Sequence, residues 1–208
     1  MKNRRLIVLT ISLWGILCCP SYLWGQWETV SYDGQGPAFP CANAVYFFDP
    51  QTGIAAAEDG IIVRTTNAGA DWQTVLTAAS DYRFEAIAPV KNATVVAVGR
   101  ENAIQPCGSS TEQGLIARSR DGGRSWTTTI VDDILTTVDF PSPQIGYAAG
   151  ACGRVYRSAD GGLSWSLLGD VGIDGIAKSL RFPSEQVGYI SFNNGGSAQE
   201  GVFITNDG

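Results

Sequence analysis

A chain of 208 residues with 44% hydrophobic residues, 25 glycines and only 16% charged residues is expected to form short strands and tight turns, not helices. It contains no histidine, which removes the commonest general base, the usual zinc ligand and every Ser-His-Asp or Cys-His nucleophile; paired carboxylates remain the main catalytic option. Its formal net charge of −6 offers phosphates no cationic footprint, which argues against nucleic acid as a partner.

In chain order, residues 1–25 read as an export signal. Lys2, Arg4 and Arg5 precede an apolar run from Leu6 to Cys19, shorter than the roughly 20 residues that span a bilayer, and Gly25 before Gln26 suits cleavage. A lipid anchor through Cys18 or Cys19 is the alternative, disfavoured by the large Leu17 that precedes the first. Removing the signal leaves eleven Lys and Arg against twenty Asp and Glu, a net charge of −9 that is ordinary for a secreted protein. The mature chain is expected to be secreted, periplasmic or held at the cell surface, with no transmembrane segment.

An internal repeat dominates the rest. Thr65-Thr66-Asn67-Ala68-Gly69-Ala70-Asp71-Trp72, Ser119-Arg120-Asp121-Gly122-Gly123-Arg124-Ser125-Trp126 and Ser158-Ala159-Asp160-Gly161-Gly162-Leu163-Ser164-Trp165 align without gaps. A fourth box begins at Thr205-Asn206-Asp207-Gly208. From Asn67 through Asp121 and Asp160 to Asp207 the intervals are 54, 39 and 47 residues, in the range of propeller blades.

Each unit carries the same strands. Val45–Ile54, Val138–Tyr147 and Leu180–Tyr189 each read as a strand, a turn bearing proline or glutamine, and a second strand opening at glycine. In the second unit this landmark is degenerate, at Ala86–Pro89 with Thr94–Val98. A third strand precedes each box, at Ile61–Thr65, Leu115–Ser119, Val155–Ser158 and Val202–Thr205. A fourth follows the tryptophan, at Gln73–Leu76, Thr127–Val131 and Ser166–Leu168. The expected fold is all-β: a β-propeller of four-stranded antiparallel blades, over residues 43–76, 84–131, 136–168 and 178–208.

The box has a physical logic as the hairpin between the third and fourth strands. Its acid or amide (Asn67, Asp121, Asp160, Asp207) is expected to accept hydrogen bonds from the turn's own N–H groups. Gly69, Gly123 and Gly162 permit positive φ, and Trp72, Trp126 and Trp165 fold back onto the blade. Trp27-Glu28-Thr29-Val30 matches Trp72-Gln73-Thr74-Val75, so residues 27–30 are expected to be an outer strand donated to the last blade. Because the fourth box stops at Gly208, about four blades of a longer ring are expected. Closure of a four-bladed ring by Trp27–Val30 is the alternative.

Box and strand pattern together resemble the BNR/Asp-box propellers, a group that includes sialidases, xyloglucanase-type glycosidases, sortilin-like receptors and non-enzymatic bacterial propellers. The Phe140–Gly150 string, and Arg-Ser-x-Asp-Gly-Gly-x-Ser-Trp at 118–126 and 157–165, look most like the photosystem II assembly/stability factor type. That resemblance implies a seven-bladed, protein-binding scaffold. It is specific for fold and weak for function, because the matching residues build blades.

Arg181-Phe182-Pro183 imitates the Arg-x-Pro motif of sialidases, yet it fills the repeat slot of Asp139-Phe140-Pro141. Arg64, Arg118 and Arg157 occupy one slot, which Ile204 fills in the fourth unit. They form either a row gripping an acidic partner or a set of stems packed between blades, the second being favoured. Loop acids for glycoside hydrolysis exist at Asp81, Glu101, Asp132, Asp133, Asp170 and Asp174, where two would have to face each other about 5–9.5 Å apart.

Strand order puts box turns and Pro-Gln turns on one face and the long loops Asp33–Cys41, Arg100–Gly114 and Asn193–Gly201 on the other. That loop face is where binding is expected, with Tyr82, Arg83, Arg100 and Glu101 as candidates. Cys41, Cys107 and Cys152 also fall there. Cys107 and Cys152 sit in corresponding loops of neighbouring blades and are the expected disulfide, leaving Cys41 free or paired elsewhere. The function expected is an exported, non-catalytic propeller that binds a protein or glycan, with no cofactor and no metal. The alternative is the front part of a sialidase- or xyloglucanase-like glycosidase.

Overall fold

The computed structural model describes residues 31–32, 41–79, 81–102, 113–193 and 201–208, and among these every regular element is a β-strand. The signal segment, Trp27–Val30, Cys107 and most of the three long loops lie outside the described residues.

A two-residue strand, β1 (Ser31–Tyr32), comes first. Blade 1 follows with β2 (Ala42–Phe47), β3 (Gly53–Ala57), β4 (Ile61–Thr65) and β5 (Asp71–Thr77). Blade 2 contains β6 (Tyr82–Lys91), β7 (Thr94–Glu101), β8 (Gly114–Ser119) and β9 (Thr127–Val131). Blade 3 contains β10 (Leu135–Asp139), β11 (Gly146–Gly150), β12 (Arg154–Ser158) and β13 (Ser166–Asp170). Blade 4 shows β14 (Ile176–Arg181), β15 (Gly188–Asn193) and β16 (Gly201–Thr205). Within each blade the strands pair antiparallel in chain order. The protein is thus an all-β chain of propeller blades.

β1 is the exception. It pairs in parallel with β5, Ser31 opposite Asp71 and Tyr32 opposite Trp72, on the outer edge of blade 1. The segment just after Trp27–Val30 therefore lies beside the first blade.

The innermost strands β2, β6, β10 and β14 pack one on the next around the axis. Each carries a register shift near its start, between Ala42 and Ala44, Phe84 and Ala86, Leu135 and Thr137, and Ala177 and Ser179. Such bulges bend a strand and re-aim its side chains. Strands β3 (Gly-Ile-Ala-Ala-Ala) and β11 (Gly-Tyr-Ala-Ala-Gly) are buried at every position: β11 lies between blades 2 and 4, whereas β3 is covered by blade 2 on one face and by Val63 and Trp72 of its own blade on the other. The rim strands β9 and β13 are almost wholly exposed.

The core is accordingly a series of slabs between blades. Ile54, Ile62, Phe84, Val95 and Leu115 join blades 1 and 2. Val96, Val98, Ile116, Leu135 and Val138 join blades 2 and 3. Tyr147, Val155, Leu180, Phe182 and Ile190 join blades 3 and 4.

One polar joint repeats across these slabs. Arg64 Nε donates to Gly122 O at 2.7 Å, and Arg118 Nε donates to Gly161 O at 2.7 Å. These two arginines are half-buried and bonded to the box of the following blade. Arg157 lies over the ring of Tyr147, 6.0 Å from its centroid. The box glycine of the following blade closes the same joint: a Cβ on Gly123 would sit 2.5 Å from Ile54 Cγ2, and one on Gly162 would sit 2.8 Å from Val96 Cγ2.

Candidate functional site

The boxes form hydrogen-bonded cages on the turn face. Asp121 Oδ1 accepts from the Ser119 hydroxyl and from the N–H groups of Arg124 and Ser125, each at 2.9 Å; Oδ2 accepts the Ser125 hydroxyl at 2.6 Å. Asp160 repeats the set with Ser158, Leu163 and Ser164. Asn67 does so with altered chemistry: Oδ1 accepts from Thr65 Oγ1 and Asp71 N, while Nδ2 donates to Asp71 Oδ2. Asp207 Oδ1 accepts from Thr205 Oγ1 at 2.7 Å.

The tryptophan N–H closes each turn: Trp72, Trp126 and Trp165 donate to the carbonyls of Gly69, Gly123 and Gly162. Trp72 is buried, whereas Trp126 and Trp165 are half-buried at the blade margin.

The hub is the hydroxyl that opens each box. Thr65, Ser119 and Ser158 are each 1% exposed, and their oxygens also accept from Gly69, Gly123 and Gly162 N–H at 2.8–3.0 Å. The sequence shows a hydroxyl at the first position of all four boxes, but its place at the centre of the hydrogen bonding appears only in the structure.

These bonds set the charge of the box acids. Burial alone would raise the Asp121 carboxyl. The Ser125 hydroxyl and N–H, the Ser119 hydroxyl and the Arg124 N–H outweigh it and hold the group at about 2. Asp160, with Ser164, Ser158 and Leu163 in those places, is also held at about 2. Both oxygens of these carboxylates are thus engaged by groups of their own turn.

On the loop face the innermost strands converge on a polar cleft of about 360 Å³. Arg83, Glu85 and Arg100 from blade 2, Thr136 from blade 3 and Lys178 from blade 4 line it. Arg83 Nη2 pairs with Glu58 of blade 1 at 2.7 Å, and Arg100 Nε pairs with Glu85 at 2.9 Å. Arg83 Nε is buried 3.2 Å from Glu85 Oε1 and makes no hydrogen bond among the described residues. Lys178 is exposed. Thr136 is tied down by donating to Ala177 O at 2.6 Å.

The other loop-face candidates do not join this cleft. Tyr82 is 7% exposed within the core of blades 1 and 2, and its hydroxyl donates to Gln113 Oε1 at 2.7 Å, so it offers a partner little surface. Glu101 is half-buried and its main chain bridges Gln113 and Arg100. Glu85, Thr136 and Lys178 line the cleft but were not singled out from the sequence.

Among the loop acids, Asp133 is 4% exposed, and its two oxygens accept from Arg154 Nη1 and Tyr156 Oη. Burial, then the bond to Asp133, raises the Tyr156 phenol well above its ordinary range. Asp170 Oδ1 accepts from Gly172 N at 2.7 Å. Among the described residues no group of three or more His, Cys, Asp or Glu side chains is arranged to hold a metal ion. The Arg181-Phe182-Pro183 string is an interblade contact: Asp139 accepts from Phe182 N at 2.7 Å and lies 3.5 Å from Arg181 Nη1.

Cys152 is disulfide-bonded, and Cys41 is free and exposed. Non-reducing peptide mapping should show Cys107 linked to Cys152. A free Cys107 thiol, or Cys152 linked to Cys18 or Cys19, would refute that pairing.

No protein-family model and no curated sequence relative matches the chain. Solved propeller structures do. The chain is similar to YCF48 bound to a D1 peptide (19% identity, TM-score 0.55, over 80% of this chain and 53% of that one). It is similar to YCF48 from Cyanidioschyzon merolae (18%, TM-score 0.52, over 79% and 56%). It is also similar to the GH74 xyloglucanase from Xanthomonas campestris (15%, TM-score 0.62, over 88% and 31%). The chain spans about half the length of the YCF48 structures and under a third of the xyloglucanase. At such identities the likeness shows the β-propeller fold.

Proposed function

We propose that this protein is an exported, non-catalytic propeller that binds a protein or glycan partner at the cleft on its loop face. The observation that carries this reading is the meeting of Arg83, Arg100 and Lys178 from two different blades on one open polar cleft, where Lys178 is exposed. The described carboxylates support binding over hydrolysis. Asp133 has both oxygens engaged, and Glu85 lies between two arginines. A solved YCF48 structure contains a bound peptide, which fits a propeller of this shape serving as a peptide-binding scaffold. Export rests on the signal-like residues 1–25.

The test is a panel of acidic, neutral and basic peptides, together with a glycan array, probed with parent and Lys178→Glu protein. Acidic probes should be retained by the parent and bind about tenfold more weakly to the variant, a loss of about 1.4 kcal/mol. Equal binding by both proteins would remove the cleft from the account. Release of reducing sugar from xyloglucan by the purified chain would overturn the non-catalytic reading.

A further inference from the structure

We infer that Glu85 sets the selectivity of the loop-face cleft: it engages both arginines of blade 2, so that the cleft takes the singly charged carboxylate side chain of a peptide and disfavours a doubly charged phosphate. This inference rests on the cleft being the binding site proposed above.

The bulges of the innermost strands supply the observation. Each leaves one residue without an opposite partner: Asn43 in β2, Glu85 in β6, Thr136 in β10 and Lys178 in β14. The fold uses two of these residues in the same way. Asn43 Nδ2 donates to Phe84 O at 2.8 Å, and Thr136 Oγ1 donates to Ala177 O at 2.6 Å. In both cases the acceptor is the carbonyl just before the bulge of the following blade, so a small donor at this position ties one blade to the next. By the same rule residue 85 would donate to Leu135 O. A carboxylate only accepts, and Glu85 has no proton to give. Blade 2 thus forgoes a bond that blades 1 and 3 make. Departure of one repeat from a structural rule that its neighbours follow is the mark of a functional position.

Glu85 uses its charge inside the cleft. Its Oε1 lies 2.9 Å from Arg100 Nε and 3.2 Å from Arg83 Nε. Arg83 Nη2 is held by Glu58, and Arg100 Nη1 by the carbonyl of Glu101. Both guanidiniums are therefore fixed in place and offset by two carboxylates. Lys178 is left as the one cation lining the cleft that makes no ion pair among the described residues. One uncompensated positive charge matches one negative charge on a ligand. A phosphate monoester carries about −1.5 to −2 at neutral pH, and its surplus charge meets the field of Glu85. A peptide fits better than a sugar acid. A sugar ring is ordinarily held against an aromatic face, and no aromatic side chain lines the cleft among the described residues. An extended peptide also brings main-chain N–H groups beside its acidic side chain, which suit the Glu85 carboxylate.

NMR titration tests this with capped glycine-serine peptides that carry glutamate, glutamine or phosphoserine at one central position, added to parent, Glu85→Thr and Glu85→Gln protein. Threonine copies Thr136 and can make the missing bond to Leu135 O. Glutamine keeps the size of Glu85 without its charge, so a folding defect in one variant leaves the other to decide. The parent should bind the glutamate peptide about tenfold more tightly than the glutamine peptide, and no less tightly than the phosphoserine one. In either variant the phosphoserine peptide should gain about tenfold over the glutamate peptide, because the benefit of removing a neighbouring anion scales with the charge of the ligand. An unchanged preference in a folded variant would overturn the inference and leave the cleft standing as a binding site. A parent that prefers phosphoserine would overturn it as well. A parent that binds none of the three peptides, or binds only a glucuronide-bearing glycan, would remove the peptide site and the role of Glu85 with it.

Discussion

Gly123→Ala should lower the stability of the chain by about 2–6 kcal/mol, the sum of two costs of about 1–3 kcal/mol each. The first is backbone strain: Gly123 has a φ of 79°, a left-handed conformation that side chains disfavour. The second is overpacking, because the new methyl would lie 2.5 Å from Ile54 Cγ2 in a slab where Ile54 is 0% exposed. A double-mutant cycle separates them. Ile54→Ala alone should cost about 2–5 kcal/mol as a cavity between blades. With the isoleucine gone, the Gly123→Ala methyl has room, and only the strain of about 1–3 kcal/mol should remain. Urea denaturation of the four proteins reads the cycle directly. Strictly additive costs would show that Ile54 is not what obstructs the methyl, and that the box glycine is required by its turn alone.

This joint shows how much of the fold was legible. The box hairpins were readable because a turn that needs a hydroxyl, an acid or amide, a positive-φ glycine and a tryptophan in order leaves a sharp mark. Strands Ile61–Thr65 and Thr127–Val131 can be placed from it to the residue. The arginine row was visible as a repeat, but its acceptors, Gly122 O and Gly161 O, lie in the next unit, and only the packing of blades brings them within reach. The cleft was half legible. Arg83 and Arg100 stood beside loops, while Glu85, Thr136 and Lys178 gave no sign of meeting them. The bulges on β6, β10 and β14 aim those side chains, and one extra residue in a strand has no compositional signature.

Tyr82 was misplaced for a related reason. Proximity to a loop suggested surface, yet Tyr82 and Phe84 alternate inward with half-buried Arg83 and Glu85, a period of two that marks them as core. The Asp133, Arg154 and Tyr156 cluster was opaque, since three residues from two elements converge with no motif to announce it.

The box acids give the second large effect, one that depends on pH. Asp121→Ala removes an acceptor of four hydrogen bonds and leaves the N–H groups of Arg124 and Ser125 without their turn partner, which should cost about 1–3 kcal/mol at pH 7. The folded Asp121 carboxyl titrates at about 2, below its ordinary value of 3.8. A group depressed in the folded state contributes stability that is fully present above the unfolded value and is lost as pH falls through the folded one. Parent stability should therefore decline between about pH 4 and about pH 2 as Asp121 and Asp160 take up protons. The deficit of Asp121→Ala should narrow over the same window, because the parent loses there what the variant already lacks. Box 1 shows a way to restore the cage. Asn67 and Asp71 exchange the charge between the third and seventh positions and keep the Oδ1 bonds to Thr65 Oγ1 and Asp71 N. Asp121→Asn with Ser125→Asp copies that arrangement and should recover most of the loss. Urea midpoints of the parent, the alanine variant and the paired variant at pH 7 and near pH 2.5 check all three points. An Asp121→Ala deficit that stayed constant across the two pH values would mean that the carboxylate charge contributes nothing, and that the cage depends on shape alone.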